Sequence, residues 1–188
     1  KPLILLGGGA ANYRNRKAIK EIVENLSLPV VLSLMGVDLL ETDHIFRSGF
    51  IGSYGNRWSN KILAECDLLI VIGSRLDIRQ TGSDTKSFSD GKEIWQLDID
   101  KKEIGLRIQP NFHLNLDVLE FNLILRNLIK NNPELKLNFN FHREWIKKIN
   151  KLKSSWPPIN EYKTKEREIN PLEYLTLYSK INKKDTIY

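Results

Sequence analysis

Short apolar runs alternate with stretches of helical spacing along the first 130 residues of the chain. Lys1 to Leu6, Pro29 to Ser33, Leu68 to Ile72, Glu93 to Leu97 and Phe112 to Leu116 are too brief for ordinary helices and rich in branched or aromatic side chains, which predicts strands. Between them, apolar residues recur every three or four positions: Ile19, Ile22, Val23 and Leu26, then Trp58, Ile62 and Leu63. A third such stripe, Val118, Phe121, Leu125, Leu128 and Ile129, follows Asp117, which is placed to cap the helix. Strand followed by helix, repeated, predicts an α/β architecture: a Rossmann-like, doubly wound parallel sheet with helices on both faces. Strands are expected to begin near Pro2, Pro29, Asp67, Glu93 and Phe112. The segment around Asp43 and His44 reads as polar connection, Phe50 to Arg57 as a glycine-punctuated turn, and Ser83 to Gly91 as a polar turn.

From Asn131 the pattern changes. Asn-rich and Lys-rich sequence leads into an amphipathic segment with Trp145, Ile146 and Ile149, broken at Trp156-Pro157-Pro158 and followed by a charged stretch. After Asn170-Pro171 a new helix with Leu172, Leu175 and Tyr178 begins, and the sequence stops at Thr186-Ile187-Tyr188 as a strand would start. The organisation expected is a domain over 1–130, a linker with one amphipathic helix over 131–169, and the truncated opening of another domain over 170–188. Little packing is expected beyond Asn131. Neither Lys1 nor Tyr188 looks like a natural terminus, so the chain reads as a fragment.

Charge changes this picture little. The net charge is +6, but residues 1–120 sum to roughly −1, and the excess lies downstream, where acidic residues interleave with basic ones. That is the pattern of a solvated connector, so no nucleic-acid partner is expected. No apolar stretch approaches the ~20 residues of a membrane span, and no signal-peptide layout opens the chain, so no membrane partner is expected. A single cysteine, Cys66, on an apolar helix face fits a reducing, cytoplasmic setting. No second histidine or cysteine stands at metal-ligand spacing, and no metal site is assigned.

The candidate chemistry sits at the predicted strand ends, where open α/β sheets bind ligands. Gly73-Ser74-Arg75-Leu76-Asp77-Ile78-Arg79 places two cations around a carboxylate directly after the third apolar run, and two arginines can hold a phosphate. The same pattern also suits a solvated loop in which Asp77 only pairs with its neighbours. Gly7-Gly8-Gly9 joins the first strand to a helix, the arrangement that presents backbone N–H groups to an anion. The dinucleotide fingerprint fails there, because Asn12 occupies its third glycine position and Pro29 to Ser33 ends without an acid. A turn needed only for tight packing is the alternative. Asp98 and Asp100 are placed either to hold a ribose or adenine amine, or to cap a short helix over Lys101 to Ile104.

Five motifs, Gly7-Gly8-Gly9, Ser33-Leu34-Met35-Gly36, Gly52-Ser53-Tyr54-Gly55, Gly73 to Gly82 and Asp98-Ile99-Asp100-Lys101-Lys102-Glu103-Ile104-Gly105, occur in an order and spacing that resembles the central domain of thiamine diphosphate-dependent enzymes. The resemblance is strongest to the acetolactate synthase (acetohydroxyacid synthase) catalytic-subunit branch and spans about residues 1–130. It implies FAD or another adenine nucleotide in a mostly structural role. Gly7, Gly8, Gly9, Arg75 and Arg79 would face diphosphate and ribose, Asp98 and Ile99 the adenine–ribose end, and Ser33, Leu34, Met35, Gly52, Ser53 and Tyr54 the flavin. Ile51, Gly73, Asp77 and Asp117 belong to the same set. Tyr54 stands where a histidine is usual and Leu116 where a glycine commonly precedes the aspartate, departures that point to a specialised paralogue.

The resemblance further implies a carboligase or decarboxylase acting on a 2-oxo acid such as pyruvate. Thiamine diphosphate and magnesium would be held by N-terminal pyrimidine-binding and C-terminal diphosphate-binding domains, in a homodimer or homotetramer. The "G-D-G … N-N" motif and the ylid-activating glutamate are not in this sequence, so no catalysis and no thiamine diphosphate binding are expected of the chain alone. Two rivals remain: an interdomain or dimer scaffold without nucleotide, and a stand-alone NAD-binding enzyme of similar fold, which lacks zinc cysteines and a catalytic histidine or lysine motif.

Overall fold

The computed structural model describes residues 1–135, 142–156 and 168–181. The Pro157-Pro158 break, the charged segment 163–167 and Thr186-Ile187-Tyr188 lie outside the described residues. Among the described residues, six strands form one parallel sheet in the order β3-β2-β1-β4-β5-β6: β1 (Pro2–Leu6), β2 (Val30–Leu32), β3 (Arg47–Phe50), β4 (Leu68–Ile72), β5 (Glu93–Asp98) and β6 (Phe112–Asn115). β1 is buried throughout because both its faces are covered. Its side chains alternate, Ile4 and Leu6 entering one core and Leu3 and Leu5 the other.

Helix α1 (Arg16–Leu26) lays Ala18, Ile19, Ile22, Val23 and Leu26 on the first core. It stops at Ser27, whose left-handed backbone (φ 51°) lets its N–H cap the Val23 carbonyl at 2.9 Å. Helix α5 (Val118–Asn131) lies beside α1 and is tied to it by Asn122, whose amide donates to Glu21 at 2.7 Å. Val118, Phe121 and Leu125 join the core as the spacing predicts, but Leu128 is exposed. On the other face, α2 (Arg57–Glu65) buries Trp58, Ile62 and Leu63 and ends at buried Cys66.

Four expectations change. β3 pairs with β2 at the sheet edge although its sequence, Arg-Ser-Gly-Phe, has no apolar run; Gly49 at φ 89° and a register shift bend it into place. Two short helices, α3 (Ile78–Thr81) and α4 (Thr85–Ser89), occupy the region after β4, capped by the Asp77 and Asp84 side chains, so Ser83 to Gly91 is more than a turn. Lys101 to Ile104 forms turns instead of a helix, with Asp98 accepting from the Asp100 N–H and Asp100 from the Lys102 N–H.

The fourth change lies past Asn131. Helix α6 (Arg143–Ser155) packs Trp145 and Ile149 into the second core beside α2, with both residues over nine-tenths buried. The Trp145 indole donates to the Pro2 carbonyl at 3.0 Å, at the amino end of β1. An amphipathic helix joined to a sheet face with uncovered apolar area is driven onto it, and the indole N–H finds a carbonyl there. Helix α7 (Pro171–Ile181) starts at Asn170, whose side chain accepts from the Leu172 N–H at 2.9 Å, and buries none of its own residues.

Trp145→Ala should therefore cost about 3–5 kcal/mol in urea unfolding, whereas a helix resting loosely on the surface would cost almost nothing. Burial pushes the Cys66 thiol up to about 11. An acid whose folded value is raised keeps its proton while the unfolded chain releases it, so stability should fall as pH rises from about 9 to about 11. That slope should shrink in Cys66→Ala. At pH 8 wild-type Cys66 should react with thiol reagents only as fast as the domain opens.

Candidate functional site

The connections leaving β1 and β4 run to opposite sides of the sheet, which makes the β1/β4 boundary the switch point where such sheets open a crevice at their carboxyl ends. The two loops there interlock. The Gly7 N–H donates to the Ile72 carbonyl at 2.9 Å, the Gly9 N–H to Gly73 at 2.8 Å, and the Gly73 N–H to Leu97 at 2.9 Å. A Cβ on Gly7 would stand 2.2 Å from the Gly73 carbonyl oxygen, and one on Gly73 2.4 Å from the Ala10 nitrogen. Gly73 also holds φ at 63°, where a side chain is strained.

This close fit spends most of the donors that the sequence assigns to an anion. Ala10 and Ala11 turn their N–H groups back to the Gly7 and Gly8 carbonyls. Gly8, which opens this 3-10 turn, holds the N–H that no intrahelical bond reaches.

Beyond Gly73 the chain takes an unusual path. Leu76 has φ 53° and is 1% exposed, so its side chain anchors in the second core while its neighbours turn outward. A left-handed leucine is costly, and it persists here because the surroundings hold it: the Ser74 hydroxyl accepts from the Leu76 N–H at 3.2 Å and donates to Gln80 at 2.7 Å. Asp77 caps α3, accepting from the Arg79 N–H at 2.8 Å, and stands 3.9 Å from Arg75 Nε.

Two adjoining clefts result. The larger, about 460 Å³, is lined by Gly8, Gly9, Ser33, Met35, Gly73, Arg75, Asp77 and Asp98 among the residues singled out from sequence. The smaller, about 80 Å³, is lined by Leu34, Met35, Ile51, Gly52, Ser53, Tyr54, Asp77 and Arg79. Met35, Asp77 and Gln80 border both. The two arginines thus do not clamp one point: Arg75 borders the larger of these two clefts, whereas Arg79 borders the smaller and also a third cavity, of about 590 Å³, that Gly52, Ser53 and Gln80 line with it.

Three singled-out residues stay outside both linings. Gly7 lies beneath its loop, Ile99 points to solvent at 67% exposure, and the Asp117 side chain caps α5 through the Leu119 N–H at 2.7 Å.

Ser74, Gln80 and Glu103 line the larger cleft and were not singled out from sequence. Beneath them Gln96, 2% exposed, interrupts the apolar alternation of β5 and was the one readable signal. Its amide donates to the Ser74 and Glu103 carbonyls at 3.0 and 3.3 Å and accepts from the Gly105 N–H at 3.0 Å, so one side chain joins both walls. Two buried polar atoms of cleft residues lack a hydrogen-bond partner: the Ser33 hydroxyl and Glu103 Oε2.

A parallel α/β domain with a ligand-sized crevice at its switch point is the class that this geometry defines. Residues 1–125 match the family described as "Thiamine pyrophosphate enzyme, central domain", and the chain belongs to that family. It is 33% identical over 179 residues to the acetolactate synthase large subunit of Porphyra purpurea, covering 93% of this chain and 29% of that relative. Isozyme 1 of the large subunit from Escherichia coli K12 is 38% identical over 118 residues, 63% of this chain and 20% of that protein. The Lactococcus lactis large subunit is 28% identical over 187 residues, 100% of this chain and 31% of the relative. The chain therefore spans about three-tenths or less of the length of these relatives.

Gly73→Ala should lower stability by roughly 1–3 kcal/mol, because the new methyl group meets both an unfavourable φ and the Ala10 backbone. Gly82→Ala, where φ is also positive but nothing lies within 4 Å of the added carbon, should cost less, and comparing their melting temperatures checks the interlock.

Proposed function

We propose that the paired clefts bind FAD, or another adenine nucleotide, in a structural role within an acetolactate synthase-like carboligase or decarboxylase. The observation that carries this reading is the Ser33 hydroxyl, 2% exposed and without a partner, in the lining of a cleft that also holds Arg75. A buried hydroxyl left unpaired is costly, and a polar ligand would satisfy it. The donor set fits a dinucleotide: Arg75 and the Gly8 N–H suit a diphosphate, Asp98 a ribose or amine, and the exposed Met35 and Tyr54 side chains a flat ring.

In this reading the whole protein acts on a 2-oxo acid such as pyruvate, and pyrimidine-binding and diphosphate-binding domains hold thiamine diphosphate and magnesium. Bound thiamine diphosphate supplies the electron sink for carbon–carbon chemistry. The residues described here orient the nucleotide and exclude water from it. Residues 131–169 join the domains, 170–188 open the diphosphate-binding one, and the assembly is a homodimer or homotetramer.

A scaffold domain without nucleotide is favoured by one observation. The Gly7, Gly9, Ala10 and Ala11 N–H groups are bonded inside the fold, which leaves a packing purpose for the glycine turn.

Titration of the full-length protein with FAD and with ADP separates the two. Arg75→Ala should weaken both ligands by about tenfold or more, at about 1.5–3 kcal/mol for a charge-assisted bond. Arg79→Ala should weaken FAD and spare ADP, because Arg79 borders the smaller cleft alone of the two. Absence of binding at tens of micromolar, or indifference to Arg75→Ala, favours the scaffold.

A further inference from the structure

Helix α5 is apolar on both its inner and its outer side. Val118, Phe121 and Leu125 face the first core, while Asn122 and Arg126 reach Glu21 of α1 at 2.7 and 3.6 Å. At about 100° per residue, Leu119, Leu123, Ile124 and Leu128 fall on the remaining side, where they are 42–58% exposed. The neighbouring helix α1 differs, since it exposes Arg16, Lys17, Lys20 and Glu24. A single exposed leucine is ordinary. Four on one helix form a patch, and a helix apolar on both sides is one that a folded assembly covers on both.

The four residues make two ridges at i, i+4 spacing, Leu119 with Leu123 and Ile124 with Leu128, and Glu120 and Asn127 lie in the groove between them. Such a surface fits a copy of itself, the ridge of one helix entering the groove of the other. Charge sets the direction. Glu120 stands in the first turn and Lys130 in the last, both exposed. Parallel packing would set like charges together. Antiparallel packing about a two-fold axis sets Glu120 of each copy against Lys130 of the other, and it also opposes the helix dipoles.

We propose that the outer side of α5 is a contact surface for a second copy of this chain, with the two helices antiparallel, Leu123 near the centre and two Glu120 to Lys130 pairs at the rim. This rests on the assembly of copies proposed above and names the surface through which they meet, and it is independent of the nucleotide reading.

Sedimentation equilibrium of the full-length protein tests it. Leu123→Glu, which sets a charge into the apolar contact, should raise the dissociation constant between copies about tenfold or more. Glu120→Lys and Lys130→Glu should each weaken association about fivefold. An equimolar mixture of those two variants should associate as tightly as wild type, and so should the chain carrying both substitutions, because either arrangement restores two opposite pairs. Unchanged association in Leu123→Glu overturns the proposal alone, and so does a lowered melting temperature at unchanged mass, the result expected if another domain of the same chain covers α5. Failure of the mixture and of the double variant to recover also overturns it. A wild-type protein that sediments as a monomer overturns it together with the assembly reading.

Discussion

The contact on which the rest of the site depends is the absence of a side chain at Gly7 and Gly73. With the Gly73 carbonyl oxygen 2.2 Å from where a Gly7 Cβ would stand, the loops after β1 and β4 touch backbone to backbone. That contact fixes the switch point as a close backbone seam, and both clefts are arranged around it. Gly73 sends the chain into the Ser74–Asp77 segment, Leu76 locks that segment into the core, and Arg75 is left facing the larger cleft. The N–H groups of Gly7, Gly9, Ala10 and Ala11 are consumed inside the fold, which leaves the Gly8 N–H and side chains facing the cleft.

Helix packing and the clefts occupy opposite ends of the sheet. At the amino end of β1, Trp145 of α6 reaches the Pro2 carbonyl and helps close the second core. At the carboxyl ends, the loops leave two clefts, and Gln96 braces the larger one from below. Packing tight enough to sustain a left-handed leucine needs the support of that second core, to which Leu76 and Trp145 both belong. The linker-like segment past residue 131 thereby contributes to the domain that precedes it.

Five of the six strands and the helical faces of α1 and α2 were legible, because apolar periodicity reports burial directly. β3 was not, since Arg-Ser-Gly-Phe carries no apolar run and is held at the edge by pairing with β2 and a bend at Gly49. Trp145 and Ile149 gave the period of α6 but not its destination, because nothing local says which surface a helix will cover. At the site, glycine and arginine positions were readable as chemistry, yet the division of Arg75 from Arg79 depends on Leu76 adopting a conformation that leucine seldom takes. Glu103 stood inside a quoted motif without a role for a related reason: only the fold brings its loop over the cleft that begins beside Gly8.

Family membership fixes the kind of protein this chain comes from, and the clefts say where a ligand would sit. Amide hydrogen exchange of the full-length protein, with and without saturating ADP, tests that placement most directly. The account predicts slowed exchange in the 74–80 and 99–105 segments that wall the larger cleft, with the α6 amides at 143–155 unchanged. Nucleotide binding that leaves both segments unprotected, or protects only surfaces away from the β1/β4 seam, would contradict it.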